Sequence, residues 1–178
     1  EQALAHFVTA STEDVDAAVD AANQALASWG NTSAAERAAW LNKIADAIEQ
    51  SKDKLVELSH SNNGKSLGQA QVDVDNSVKC YRYYADLVQK FAFTKTSSTD
   101  HGTELTHQQN PVGVVALITP WNFPLITSAW KIAPALAAGC TLVFKPSELV
   151  PLPELEFMKL LNQMNFPQGV FNLVLGDA

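Results

Sequence analysis

Cysteine, clustered basic residues and long apolar runs are all scarce in this sequence of 178 residues. Its two cysteines, Cys80 and Cys140, are too few for a disulfide framework and favour a reducing compartment. No apolar run approaches the roughly 20 residues of a membrane-spanning helix. Residues 1–10 also lack the basic and apolar regions of a signal peptide. We therefore expect a cytoplasmic protein without a membrane partner.

The charged residues exclude further classes of protein. Twelve Lys and Arg against 19 Asp and Glu give a net charge of -7, and no basic run is present. Nucleic-acid binding needs clustered Lys and Arg against phosphates, so no nucleic-acid partner is expected. The four histidines lack the spacing of metal ligands, and no metal site is predicted. An apolar content of 47% is nevertheless sufficient for a packed core.

The first half of the chain has the residue pattern of helices. Capping boxes at Ser11 and Ser33 open two helices, which are predicted to end at Gly30 and near Gln50. Shorter and longer helices are predicted over 54–61 and 72–91. Residues 1–93 are therefore predicted to form a helical part of the fold.

The pattern changes twice after residue 93. Residues 94–110 are rich in polar and β-branched side chains and predict a two-stranded polar hairpin that turns at 100–102. Residues 112–118 form a continuous apolar run, typical of a parallel strand that is buried on both faces. Residues 124–138, 141–144, 151–164 and 170–175 follow as helix, strand, helix and strand. We therefore expect an α/β fold in which residues 111–178 form a partial Rossmann-like parallel sheet of βαβαβ order.

Two polar segments come directly after the first two strands of this predicted sheet. Ligands of parallel α/β sheets bind beyond the carboxyl ends of the strands, which is where residues 119–124 and 145–148 fall. In the second segment, Glu148 is suited to accept hydrogen bonds from ribose hydroxyls, and Lys145 is suited to donate to a ribose or a phosphate. An equally weighted alternative is that Glu148 only caps the loop before the next helix.

The first segment lacks the G-x-G-x-x-G motif of an ordinary dinucleotide cradle. Asn122 is neutral and lies between prolines, so its amide is suited to stabilise a developing oxyanion. From the residues alone, the stronger interpretation is a turn asparagine that bonds to its own backbone. The motifs around Asn122 favour the oxyanion interpretation over the turn interpretation.

Residues 111–149 resemble the aldehyde dehydrogenase superfamily, and the similarity extends over essentially the whole chain as an N-terminal portion. It depends on Pro-Trp-Asn-Phe-Pro at 120–124, Lys-Pro-Ser-Glu at 145–148, Asn-Gly-Lys at 63–65 and Pro-Gln-Gly-Val-Phe-Asn at 167–172. Asp73, Asp75, Cys80 and residues 83–87 are similar to the betaine and aminoaldehyde dehydrogenase group. Val72 departs from the aromatic residue that plant members often carry, which weakens an aromatic box for a cationic substrate and leaves semialdehyde-oxidising relatives as an alternative. The resemblance also implies that residues 1–93 are the helical part of the cofactor-binding domain.

The resemblance implies a role for each candidate residue. The cofactor would be NAD rather than NADP, because a carboxylate at Glu148 repels a 2′-phosphate, and the substrate would be a small-molecule aldehyde. Asn122 would be an oxyanion donor. Phe123 and Trp130 would line the aldehyde tunnel, although a core-facing Trp130 is the alternative. The implied cofactor-binding residues are Ile118, Thr119, Pro120, Trp121, Lys145, Ser147 and Glu148.

The resemblance also implies what these residues lack. In the family, a cysteine attacks the aldehyde to form a thiohemiacetal, and both that cysteine and the glutamate that activates water lie downstream of residue 178. Cys80 and Cys140 are interpreted as structural. We expect a truncated chain that is inactive by itself and that forms homo-oligomers, through the hairpin at 94–110, or associates with its remainder. The alternative is a non-catalytic truncated paralogue that acts as a binding or interaction module.

Overall fold

The computed structural model describes residues 3–177 and confirms the α/β class. Four helices precede a pair of short strands, and three further strands then alternate with two helices. The helices are α1 (Thr12–Trp29), α2 (Ala34–Gln50), α3 (Lys52–Asn63), α4 (Leu67–Lys90), α5 (Pro124–Ala137) and α6 (Leu152–Gln163). The strands are β1 (Thr94–Ser98), β2 (Glu104–Gln108), β3 (Val114–Ile118), β4 (Thr141–Lys145) and β5 (Phe171–Leu173).

The strands form two separate sheets, as predicted. β1 and β2 pair in antiparallel register from Thr94 opposite Gln108 to Ser98 opposite Glu104, and all ten of their residues are exposed. The second sheet is parallel, with the order β3-β4-β5. β4 is its central strand and is almost entirely buried.

The buried core connects the helical half to the parallel sheet. α4 packs against α2 and α5, while α1 and α5 both contact β3 and β4. Aromatic side chains join the layers: Phe157 of α6 lies 6.0 Å from Tyr81 of α4 and 5.8 Å from Phe171 of β5, measured between ring centroids. The helices before the sheet therefore share one hydrophobic core with it.

The helix starts show which local signals were sufficient. Both predicted capping boxes, at Ser11 and Ser33, are formed. α4 begins at Leu67 rather than at residue 72, because the hydroxyl of Ser66 accepts a hydrogen bond from the Gln69 amide at 3.3 Å. That cap shifts the start of the helix by more than one turn from the apolar pattern alone.

The predicted burial of β3 on both faces is wrong. Ala116 and Ile118 are exposed, and Ile118 reaches 66%. Ala116 and Ile118 are two positions apart and share one face of the strand, which is uncovered among the described residues, while Val115 and Leu117 pack against the core from the other face. Its apolar run is therefore typical of a strand that needs further cover.

None of the helices within residues 3–177 is both long enough and apolar enough to cross a membrane.

Candidate functional site

The carboxyl ends of β3 and β4 lie side by side and bring the two predicted segments together. Ile118 is the register partner of Lys145, and the Thr119 amide donates to the Lys145 carbonyl at 3.2 Å. The loops that follow these strands therefore leave the sheet at one edge. This is the position at which parallel α/β sheets bind ligands.

The loop after β4 presents a cation and an anion to solvent. Lys145 Nζ lies 3.6 Å from Glu148 Oε2, with 23% and 38% of the two side chains exposed. Ser147 is buried, and its hydroxyl accepts from the Leu149 amide at 3.3 Å. Lys145 and Glu148 are thus available to a ligand, whereas Ser147 shapes the loop.

The loop after β3 combines exposed apolar side chains with a buried hydroxyl. Ile118, Pro120 and Trp121 are all exposed. Thr119 is buried, and its Oγ1 has no hydrogen-bond partner among residues 3–177. Asn122 and Phe123 follow, both exposed. The loop therefore offers an apolar surface directly beside Lys145.

Side chains at the end of α3 and in the turn before α4 form hydrogen bonds to the segments after β3 and β4. The sequence patterns did not predict these contacts. Asn63 Nδ2 donates to the Trp121 carbonyl at 2.5 Å, and Lys65 Nζ donates to the Asn122 carbonyl at 2.9 Å. Asn62 Oδ1 accepts from the amide of Leu152, which opens α6 after the β4 loop, at 3.0 Å. The sequence signals at this place were the polar run from Asn62 to Lys65 and the Asn-Gly-Lys motif within it, and neither indicated these contacts.

Asp73 caps helix α5 from the neighbouring helix α4. The residue before α5, Phe123, provides no side-chain cap, and Asp73 Oδ1 accepts from the Ile126 amide at 2.8 Å. The same carboxylate lies 3.4 Å from Lys65 Nζ, with both side chains at most 5% exposed. Burial raises the pKa of Asp73, although the Ile126 amide and the Lys65 ammonium oppose the rise. The N-terminus of α5 favours a negative charge at this place.

A second carboxyl group is buried nearby, on α6. Glu154 is 1% exposed, and neither carboxyl oxygen has a hydrogen-bond partner among the described residues. Burial raises the pKa of Glu154 to about 8, with Asp73 adding to the rise and Ser128 and Lys65 opposing it. The Ser128 hydroxyl instead donates to the Pro124 carbonyl at 2.6 Å. Glu154 is therefore mostly protonated at neutral pH.

An open groove runs beside α5, with Trp130 and Tyr83 exposed at its rim. Trp130 is 61% exposed, so the alternative of a core-facing tryptophan is wrong. Cys80 also lines this groove, and burial raises the pKa of its thiol to about 11. A thiol with such a pKa is a poor nucleophile at neutral pH, and Cys140 is buried.

Residues 3–177 contain no group of three or more His, Cys, Asp or Glu side chains that could hold a metal ion.

The comparison with known families identifies the chain. Residues 1–178 match the family model described as "Aldehyde dehydrogenase family". The chain belongs to the aldehyde dehydrogenase family. The resemblance seen in the strand-end motifs is confirmed.

Curated relatives within this family are dehydrogenases of betaine aldehyde and aminoaldehydes. The chain is 41% identical to a chloroplastic betaine aldehyde dehydrogenase of Beta vulgaris, over 99% of this chain and 37% of that protein. It is 40% identical to aminoaldehyde dehydrogenase 2 of Solanum lycopersicum, over 99% and 36%. A betaine aldehyde dehydrogenase of Bacillus subtilis is 39% identical, over 100% and 37%. The chain thus spans a little over a third of these relatives.

Solved structures give the same result for the fold. PnpE from Pseudomonas sp. WBC-3 superposes with a TM-score of 0.93 at 40% identity, over 98% of this chain and 36% of that one. A point mutant of betaine aldehyde dehydrogenase from Staphylococcus aureus, in complex with NAD+, gives 0.90 at 38% identity, over 94% and 35%. The described residues therefore adopt the fold of the family.

Proposed function

We propose that the complete protein, meaning the product of the whole reading frame around residues 1–178, oxidises an aldehyde to a carboxylic acid with NAD. In this proposal the present residues form one wall of the active site. The observation that carries it is the adjacency of two loops, where the Lys145 carbonyl accepts from the Thr119 amide at the shared edge of the sheet. This adjacency sets the Asn122 loop beside the Lys145–Glu148 pair.

The chemistry of the exposed side chains fits a dinucleotide. Glu148 supplies carboxylate oxygens for ribose hydroxyls, and Lys145, 3.6 Å away, supplies a donor for the same ribose or a phosphate. A carboxylate here disfavours a 2′-phosphate, which supports NAD over NADP. When bound, NAD supplies the hydride acceptor. Ile118, Pro120 and Trp121 would give the cofactor an apolar wall. Thr119, whose side chain is buried, would contribute through its backbone, and Ser147 would keep the ribose loop in shape.

Asn122 is the residue of this chain that we assign to catalysis. Its amide is neutral, exposed and placed at the start of α5, so it can donate to a carbonyl oxygen as negative charge develops there. Phe123 and Trp130 would enclose the aldehyde, because both are exposed and lie seven positions apart, which is about two turns along α5. The named relatives support cationic aldehydes of the betaine or amino type as the substrate class.

The test is aldehyde-dependent NADH formation by the complete protein. Asn122→Ala should lower kcat by about 100- to 1,000-fold while the KM for NAD stays within about twofold. The matched control is Asn31→Ala, which changes an exposed asparagine outside the site and should leave both constants unchanged. No NADH formation by the unmodified protein would refute the function and favour the alternative, a non-catalytic interaction module.

We also propose that residues 1–178 assayed alone form no NADH. The reason is chemical: the Cys80 thiol is held protonated by burial, and Cys140 is buried in the core. Turnover by the isolated 178 residues would contradict this. Oligomerisation through the exposed β1–β2 hairpin, the domain boundaries at 93 and 110 and the cytoplasmic location stay predictions.

A further inference from the structure

We infer that Lys65 is a positioning residue for the oxyanion donor Asn122, and that Asp73 holds Lys65 in place for this task. The inference rests on the proposed function of Asn122 and deepens it. Neither residue is assigned a contact with substrate or cofactor. Both act through the backbone, Lys65 at the Asn122 carbonyl and Asp73 at the Ile126 amide.

The first step is the contact at Asn122 itself. Lys65 Nζ donates to the Asn122 carbonyl at 2.9 Å and lies 4.2 Å from the centroid of the Phe123 ring. The Lys65 ammonium therefore contacts both the backbone carbonyl of Asn122 and the aromatic ring of the next residue, Phe123. Since Asn122 lies in an exposed loop, this anchor limits the range of positions of its backbone.

The second step is the fixation of the segment after Asn122. The Ile126 amide is one of the first N–H groups of α5, which have no partner within the helix. Asp73 Oδ1 accepts from it at 2.8 Å, while Asp73 Oδ2 faces Lys65 Nζ at 3.4 Å. One buried ion pair thus fixes both ends of the segment 122–126, with its cation on the Asn122 carbonyl and its anion on the helix start four residues later.

The third step is the cost of losing this arrangement. The side chains of Lys65 and Asp73 are buried, with 5% and 0% exposed, although desolvation opposes the burial of charge. Displacing a catalytic group by about 1 Å lowers the rate by roughly 100-fold. Releasing the Asn122 carbonyl should therefore reduce kcat without changing the contacts of Lys145 and Glu148 with NAD.

The experiment uses the complete protein and the variant Lys65→Met, which keeps the aliphatic stem and removes the donor. We expect kcat to fall by about 10- to 100-fold, with the KM for NAD within about twofold. The matched control is Lys52→Met, because Lys52 of α3 also forms an ion pair with an aspartate of α4, Asp75 at 2.6 Å, but does so away from the Asn122 carbonyl. Its kcat should not change.

A double variant separates positioning from stability. Lys65→Met alone leaves the Asp73 carboxylate buried without its cation, which can destabilise the fold. In Lys65→Met/Asp73→Asn the charge is removed from both partners, and the amide side chain introduced in place of the carboxylate still offers an oxygen to the Ile126 amide. We expect the thermal midpoint of the double variant to return toward that of the parent while its kcat stays low. A kcat that recovers together with stability would overturn the inference.

Two further readouts complete the test. In an Asn122→Ala background, Lys65→Met should lower kcat by less than about threefold, because the group it positions is already gone; an undiminished effect would overturn the inference. Amide hydrogen exchange in a peptide covering 119–127 should be faster in Lys65→Met than in Lys52→Met. This exchange is independent of turnover, so it decides the role of Lys65 even if the complete protein forms no NADH. Equal exchange in the two variants would overturn the inference.

Discussion

Glu154 of α6 provides a direct test of how burial controls the stability of this fold. Both of its carboxyl oxygens lack a partner within residues 3–177, and burial raises the pKa of the group from 4.5 to about 8. The charged groups that act on it are Asp73, which adds to the rise, and Lys65, which opposes it. The folded state therefore prefers the neutral acid.

The sign of the effect follows from proton binding. Between pH 4.5 and about 8 the folded state keeps a proton on Glu154 that the unfolded state releases. Stability therefore falls as pH rises through this window. The difference between 4.5 and about 8 corresponds to about 5 kcal/mol when fully expressed above pH 8, at about 1.4 kcal/mol per pH unit. About 3 kcal/mol of this falls between pH 5 and pH 8.

The variant Glu154→Gln has nearly the shape of the neutral acid and does not titrate. We expect the free energy of unfolding of the variant to lose this decline, so that it exceeds the parent by about 3 kcal/mol more at pH 8 than at pH 5. Urea denaturation of the purified protein at several pH values measures the difference. Parallel pH profiles for parent and variant would refute the reasoning.

Glu156 on the same helix is the matched control. Burial raises the pKa of Glu156, but Lys54 at 2.5 Å and Lys159 at 3.3 Å outweigh it, and the net pKa is lowered. Its ion pairs therefore stabilise the fold above the unfolded pKa of 4.5 and lose that effect as pH falls. Glu156→Gln should thus be destabilising at pH 7, opposite in sign to Glu154→Gln.

The elements of this fold were predictable wherever the signal is local. Ser33 and Glu36 are three positions apart, so the capping box that opens α2 can be recognised in four residues. The alternation of strands and helices after residue 111 is equally local, because each apolar run is bounded by Pro or Gly. The parallel sheet could therefore be predicted from the sequence.

Burial of β3 was not predictable in the same way. The apolar run at 114–118 favours burial of the strand, whereas the exposure of each of its side chains depends on which neighbours are present. With β4 as its only partner among the described residues, Ile118 remains open to solvent. A sequence pattern can specify the need for cover but not its source.

The candidate site divides along the same line. Lys145 and Glu148 are three positions apart at the end of one strand, so their proximity could be predicted. Lys65 and Asn122 are 57 positions apart, and no periodicity links them. Their contact exists only because α3, α4 and α5 meet at one corner. The support of an active site is tertiary even where its reactive residues form a short motif.

Two remaining predictions test single residues in the loops. Glu148→Gln should reduce the preference of the complete protein for NAD over NADP, measured as the ratio of the two kcat/KM values; an unchanged ratio would remove Glu148 from that role. Gly169→Ala and Gly64→Ala impose a side chain on nearly the same backbone angle, φ +78° and +79°, but a Cβ at Gly169 would lie 2.6 Å from the Ala21 carbonyl, whereas Gly64 has open space. Both should lose about 1 kcal/mol from the left-handed conformation, and Gly169→Ala a further 1–3 kcal/mol, roughly, because α1 must move away. Equal thermal midpoints for the two variants would contradict this close approach of α1 to the loop before β5.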